Sequence, residues 1–179
     1  GNGITLTNSA GDTDITFIDV ADADVATVIS GDTSDNSNAS GIDARNYGSG
    51  ALSITTTGSV NGGVYYSGIS SGIWAQNGTY GAHSTNGAGT SLSITTGPGT
   101  VTGGRRGIYA FNNGTGGTTI SVNGDVTATN VGGRGVHVRN HHSAPSSHTA
   151  ITTALGTHVQ ADGGGLYAKA VNDTLTIKN

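Results

Sequence analysis

Short runs of alternating apolar and polar residues recur along this chain, parted by Gly, Asn, Ser and Thr. One run reads Gly41-Ile42-Asp43-Ala44-Arg45-Asn46 and returns as Gly72-Ile73-Trp74-Ala75-Gln76-Asn77 and Gly107-Ile108-Tyr109-Ala110-Phe111-Asn112. It returns again as Gly135-Val136-His137-Val138-Arg139-Asn140 and Gly165-Leu166-Tyr167-Ala168-Lys169-Ala170. The leading Gly residues lie about 30 positions apart, the spacing of a solenoid repeat. A second run follows each: Leu52-Ser53-Ile54, Leu92-Ser93-Ile94, Thr119-Ile120-Ser121-Val122, Ala150-Ile151-Thr152 and Leu175-Thr176-Ile177. A third is Gly58-Ser59-Val60, Gly99-Thr100-Val101, Gly124-Asp125-Val126 and Gly156-Thr157-His158-Val159. Period-two alternation fits strands buried on one face. The pattern predicts an all-β, right-handed parallel β-helix with three short strands per coil.

One coil can neither pair its backbone nor hide its apolar face, whereas stacked coils do both. Equivalent positions then form columns. Ile42, Ile73, Ile108, Val136 and Leu166 are expected as one inner column, and Ala44, Ala75, Ala110, Val138 and Ala168 as a smaller second one. Asn46, Asn77, Asn112 and Asn140 are expected as a ladder of side-chain amides at a turn. The repeated Gly residues are expected to supply positive φ at the corners.

Residues 1–40 follow the repeat poorly and hold Asp12, Asp14, Asp19, Asp22, Asp24, Asp32 and Asp35. They are expected to be degenerate coils or an N-terminal cap, with strands over 15–18 and 25–29, and 41–179 to be the β-helix proper. The chain stops within a unit, so it is expected to be cut from a longer protein. An uncovered solenoid end is an open strand edge that favours self-association.

Composition supports the same picture. Gly supplies 32 of 179 residues, far above the usual share of about 7%. Every acid is Asp, and strong helix formers are scarce. Disorder is disfavoured because the apolar residues are clustered and periodic. A β-sandwich does not account for a pattern that returns in the same phase. The net charge of −4 argues against nucleic acid as a partner. No apolar run is long enough to cross a membrane as a helix. The absence of Cys excludes disulfides and Cys metal sites, and suits a chain threaded unfolded through a pore.

The units from Gly41 to Gly58, and from Gly107 through Asn113-Gly114-Thr115-Gly116, resemble passenger repeats of bacterial autotransporters, the type V secretion group. The resemblance covers about residues 40–179. It implies export to the cell surface or medium through the chain's own C-terminal outer-membrane β-barrel. It also implies an adhesin, an aggregation factor or a released ligand of host receptors, that is, a virulence factor. The protease branch of that group carries a Gly-Asp-Ser-Gly signature, which this chain lacks.

The outward positions of the first strand carry the most suggestive chemistry. Asp43, Trp74, Tyr109, His137 and Tyr167 are expected in one exposed column, and Arg45, Gln76, Phe111, Arg139 and Lys169 in its neighbour. Aromatic and Arg side chains are enriched at binding surfaces. The plainer alternative is rung-to-rung stacking that only stabilises the sheet. Arg105, Arg106 and Arg134 form a second candidate, with Arg106 and Arg134 one rung apart and Arg139 nearby. Their forks suit sulfate or carboxylate, hence a sulfated host glycan, unless Asp125 or Asp162 pairs with them.

His137, His141, His142 and His148 could meet around a metal, although a solvated loop is the simpler outcome. The Asp-rich start could hold Ca²⁺ but matches no calcium-loop spacing. No metal or cofactor is therefore expected. Enzymes of this architecture that act on polysaccharides use grouped carboxylates or an Arg base. Here Asp43 and Arg45 share a strand without a second acid at the matching position of the next coils. The expectation is a non-enzymatic extracellular protein that binds host-cell surface molecules. Self-association into aggregates or biofilm, and carbohydrate-active catalysis, are the alternatives.

Overall fold

The computed structural model describes residues 1–19, 28–31, 39–64, 70–79, 90–141, 148–170 and 174–178. The first coil carries β1 (Ile4–Asn8), β2 (Ile15–Asp19) and β3 (Val28–Ser30). The second carries β4 (Ile42–Asn46), β5 (Leu52–Thr56) and β6 (Ser59–Asn61), and the third β7 (Ser71–Asn77), β8 (Leu92–Thr96) and β9 (Val101–Gly103). Next come β10 (Arg106–Asn112), β11 (Thr118–Val122) and β12 (Val126–Ala128), then β13 (Arg134–Asn140), β14 (His148–Thr153) and β15 (Val159–Ala161). β16 (Leu166–Ala170) and β17 (Thr174–Lys178) begin a further coil. Each strand pairs in parallel with its counterpart one coil away, giving sheets ordered β1-β4-β7-β10-β13-β16, β2-β5-β8-β11-β14-β17 and β3-β6-β9-β12-β15. The chain is a parallel β-helix.

The register follows the sequence columns. Ile42 stands on Ile73, Ile73 on Ile108, Ile108 on Val136 and Val136 on Leu166. Ala44, Ala75, Ala110 and Val138 form the small column beside it, fully buried. Leu52, Ile54, Leu92, Ile94, Ile120 and Ile151 enter the core from the second sheet, and Val60, Val101 and Val126 from the third. Burying each large aliphatic side chain contributes about 1.5–3 kcal/mol, which makes the stacked interior the main source of stability. The described strands within residues 1–40 join this scheme in register: Ile4 pairs with Ile42, Phe17 with Ile54 and Ile29 with Val60. The expected strand over 25–29 is seen as β3 from Val28 onward, its earlier residues lying outside the described ones.

Of the repeated glycines, Gly156 of the third run has the expected positive φ, but those that open the first strand serve another purpose. Positive φ occurs at Gly11, Gly78, Gly132, Gly156 and Gly164, none of which opens a first strand. At Gly41 and Gly72 the constraint is space. A Cβ there would stand 2.5 Å from Val60 Cγ1 and 2.6 Å from Val101 Cγ1, respectively. The third-sheet Val column thus packs directly on the backbone of the first sheet, and any side chain at these Gly positions would push the sheets apart.

The Asn positions stack in register as expected, but Asn46 makes no amide bond to Asn77, whose Oδ1 is buried without a partner among the described residues. Asn8 Nδ2 donates to Asn46 Oδ1 at 2.9 Å, and Asn77 Nδ2 to Asn112 Oδ1 at 3.2 Å. Asn46 and Asn112 each also donate to a turn carbonyl, of Gly50 at 2.9 Å and Gly116 at 3.0 Å. Buried amides need such partners, and these bonds meet that need at Asn46 and Asn112 while fixing the corner leading into the second sheet.

Candidate functional site

The outward columns of the first sheet assemble as the register requires. Asp43 pairs with Trp74, Trp74 with Tyr109, Tyr109 with His137 and His137 with Tyr167. The rings touch in series. The centroids of Trp74 and Tyr109 are 4.4 Å apart, those of Tyr109 and His137 5.0 Å, and those of His137 and Tyr167 4.8 Å. The last two contacts are edge-to-face, the arrangement that ring quadrupoles favour. The neighbouring column runs Arg45, Gln76, Phe111, Arg139 and Lys169.

These columns were expected to lie open, and most of their members do not. Tyr109, Phe111 and His137 are only 3%, 3% and 4% exposed, and Asp43 and Gln76 are buried as well. Trp74 is partly covered, whereas Tyr167, at 39%, faces solvent. Part of the cover is basic. Arg106 lays its Cζ 4.4 Å from the Tyr109 ring centre and 5.6 Å from that of Trp74. Arg134 stands 4.0 Å over Tyr167, and Arg45 lies 5.7 Å from Trp74. Cation–π contacts of this kind each contribute about 0.5–2 kcal/mol, more as water is excluded.

Arg106 and Arg134 pair across β10 and β13, one rung apart as expected. Both converge on His137. Arg106 Nε–H donates to His137 Nδ1 at 3.0 Å, and Arg134 NH1 lies 3.2 Å from the same nitrogen. An Nδ1 that accepts from Arg106 carries its lone pair there, so the ring is neutral. Burial lowers the His137 pKa to about 3, helped by the charges of Arg106, Arg134, Arg139 and Arg105. Burial also lowers the Arg106 pKa, to about 10, and again Arg105, Arg134 and Arg139 add to the effect.

The acids proposed to neutralise this patch are engaged elsewhere. Asp125 accepts from the His158 backbone N–H at 2.8 Å, and Asp162 from that of Gly132 at 3.0 Å. Asp43 takes both prongs of Arg45, at 2.7 and 2.9 Å, plus Asn2 Nδ2 at 3.1 Å. Sequence reasoning missed the Asp43–Arg45 clamp. Its signal was the i,i+2 spacing, which puts both side chains on one face of β4.

No likeness to a family model, a curated protein or a solved structure was found.

The remaining candidates separate in space. His137 sits inside the ring column, His141 lies against Phe111 with centroids 6.3 Å apart, and His148 is exposed at the start of β14. His142, and the acidic stretches around Asp22, Asp24, Asp32 and Asp35, lie outside the described residues. Among the described residues no three His, Cys, Asp or Glu side chains are grouped to hold a metal.

Proposed function

We propose that this chain is an extracellular binding module, the β-helical passenger of a bacterial autotransporter, and that the arginine-rich edge of its first sheet engages host-cell surface molecules. The observation that carries this reading is the concentration of Arg105, Arg106 and Arg134 beside Trp74 and Tyr167 in a chain of net charge −4. Guanidinium groups held against aromatic rings are already ordered, so little side-chain entropy is lost when they meet a partner. Tyr167 and Arg105 are exposed and available for contact. The absence of Cys and the coil-by-coil architecture agree with export through an outer-membrane pore, followed by display or release.

The test is binding of the whole chain to intact host cells and to immobilised host-surface proteins and glycans. R105A, at an exposed position, is expected to weaken binding while the thermal melt stays put, and Y167A to weaken binding with a modestly lower melt, since it also removes the contacts with Arg134 and His137. Binding that is unchanged in both variants removes this edge as the contact surface. No binding to any host material removes the function itself.

A further inference from the structure

We propose that Arg106 and Trp74 form the floor of an oxyanion site, with Arg105 and Arg134 at its rim, which takes a sulfate or carboxylate group. The proposal rests on the binding reading above and names the chemistry that the same edge selects.

Two donors on this face are buried without an acceptor among the described residues: Nε1 of Trp74 and NH1 of Arg106. They belong to one contact, because Arg106 Cζ lies 5.6 Å from the Trp74 ring centre. A donor removed from water and given nothing in return is destabilising, and more so when it is charged. The neighbours of Arg106 do not repair this. Its Nε–H is spent on His137, and Tyr109 offers a ring face. The nearby charges of Arg105, Arg134 and Arg139 repel it. Asp43, Asp125 and Asp162 are bonded to other groups.

A partly desolvated cation among cations is the electrostatic setting that an anion relieves. The planar guanidinium fork fits two oxygens of sulfate or carboxylate at once. His137 is compatible with this role. Neutral and locked as an acceptor for Arg106, it aims that guanidinium without adding a charge of its own. An entering group meets Arg105, which is exposed, and the partly covered Arg106 and Arg134 first, and it reaches the two sealed donors through a local shift of the side chains.

Trp74 is the only Trp in the chain, so its emission reports on the site. The whole chain is titrated with sodium sulfate, sodium acetate and sodium chloride at matched ionic strength. A saturable change with sulfate or acetate, absent with chloride, is expected. R106Q should weaken it about tenfold or more, as loss of a charged bidentate contact does, while K178Q leaves it unchanged. A stronger response to sulfate assigns the site to sulfate esters, and a stronger response to acetate assigns it to sugar carboxylates.

Equal responses to all three salts, or an R106Q curve that overlays the parent, overturn the proposal. Arg106 also packs on Tyr109, so the exposed R105Q variant decides if R106Q fails to fold. It should weaken sulfate binding, and an unchanged curve again overturns the site. Sulfate binding without any host-surface binding removes the proposed function and leaves this site standing. Host-surface binding indifferent to both R106Q and competing sulfate does the reverse.

Discussion

The Nε–H of Arg106 donates to Nδ1 of His137 across 3.0 Å, from one coil to the next. This bond ties the basic edge to the aromatic column. It also fixes the protonation state of a histidine that would otherwise titrate near neutrality.

Acid should therefore destabilise the fold through His137. An unfolded-chain histidine titrates near 6.5, whereas burial and the charges of Arg106, Arg134, Arg139 and Arg105 hold His137 at about 3. Between these values the unfolded chain binds a proton that the folded chain refuses. The stability linked to this group is complete above about pH 6.5 and is lost progressively as the pH falls toward about 3. Asp125, whose pKa is lowered chiefly by the His158 backbone N–H, acts only in the carboxylate range below this. Urea midpoints near pH 7.5 and near pH 4.5 should differ in the parent and differ less in H137F. Identical midpoints in the parent at the two pH values would refute the assignment.

The Gly–Val contact predicts a repairable clash. Gly72→Ala places a Cβ 2.6 Å from Val101 Cγ1 and 2.8 Å from the Gly107 carbonyl oxygen. Overpacking of this kind typically costs about 1–3 kcal/mol. Val101→Ala alone should also destabilise, by opening a cavity. The double variant G72A/V101A should be more stable than the sum of the two losses, because the Val part of the clash is gone while the approach to the Gly107 and Thr102 carbonyl oxygens remains. Strict additivity in a denaturation cycle would show that the Val column does not set the glycine requirement.

Asn112 is buried and serves four bonds, one of them a longer contact from Nδ2 to the Gly117 carbonyl at 3.3 Å. It donates to the Gly116 carbonyl at 3.0 Å, and its Oδ1 accepts from Asn77 Nδ2 at 3.2 Å and from the Gly114 N–H at 2.9 Å. Asn112→Ala strands those partners and should cost about 2–3 kcal/mol, the penalty for leaving buried polar groups unmet. The thermal midpoint of N112A measures it, and a change within experimental error would mean that the ladder is ornamental.

Position in the column should decide the cost of losing an aliphatic side chain. Ile108 is fully buried at the centre of the stack, and Ile108→Ala should cost about 2–5 kcal/mol. Leu155 is fully exposed between β14 and β15, and Leu155→Ser should stay within about 0.5 kcal/mol of the parent. Similar losses at both sites would contradict the stacked core.

Much of this was legible in the chain itself. The runs opening at Gly41, Gly72, Gly107, Gly135 and Gly165 determined the strands. Their common phase determined which residues share a column, because a strand has a fixed period of two and a solenoid repeats its register. The stacking of the Asn positions followed from the same arithmetic.

What periodicity cannot express is whether the outward side of a strand meets water or more protein. That depends on long side chains arriving from flanking positions. Arg106 folding over Tyr109, and Arg134 over Tyr167, join groups that no spacing rule links. The glycines are a second case. Their recurrence was visible, but its cause is the close approach of Gly72 to Val101 on another sheet and to the Gly107 and Thr102 carbonyl oxygens, which only folding sets. Sequence determined the columns, since these depend on local alternation. Tertiary structure decided what covers the columns and which donors remain unmet, since burial depends on atoms distant in the chain.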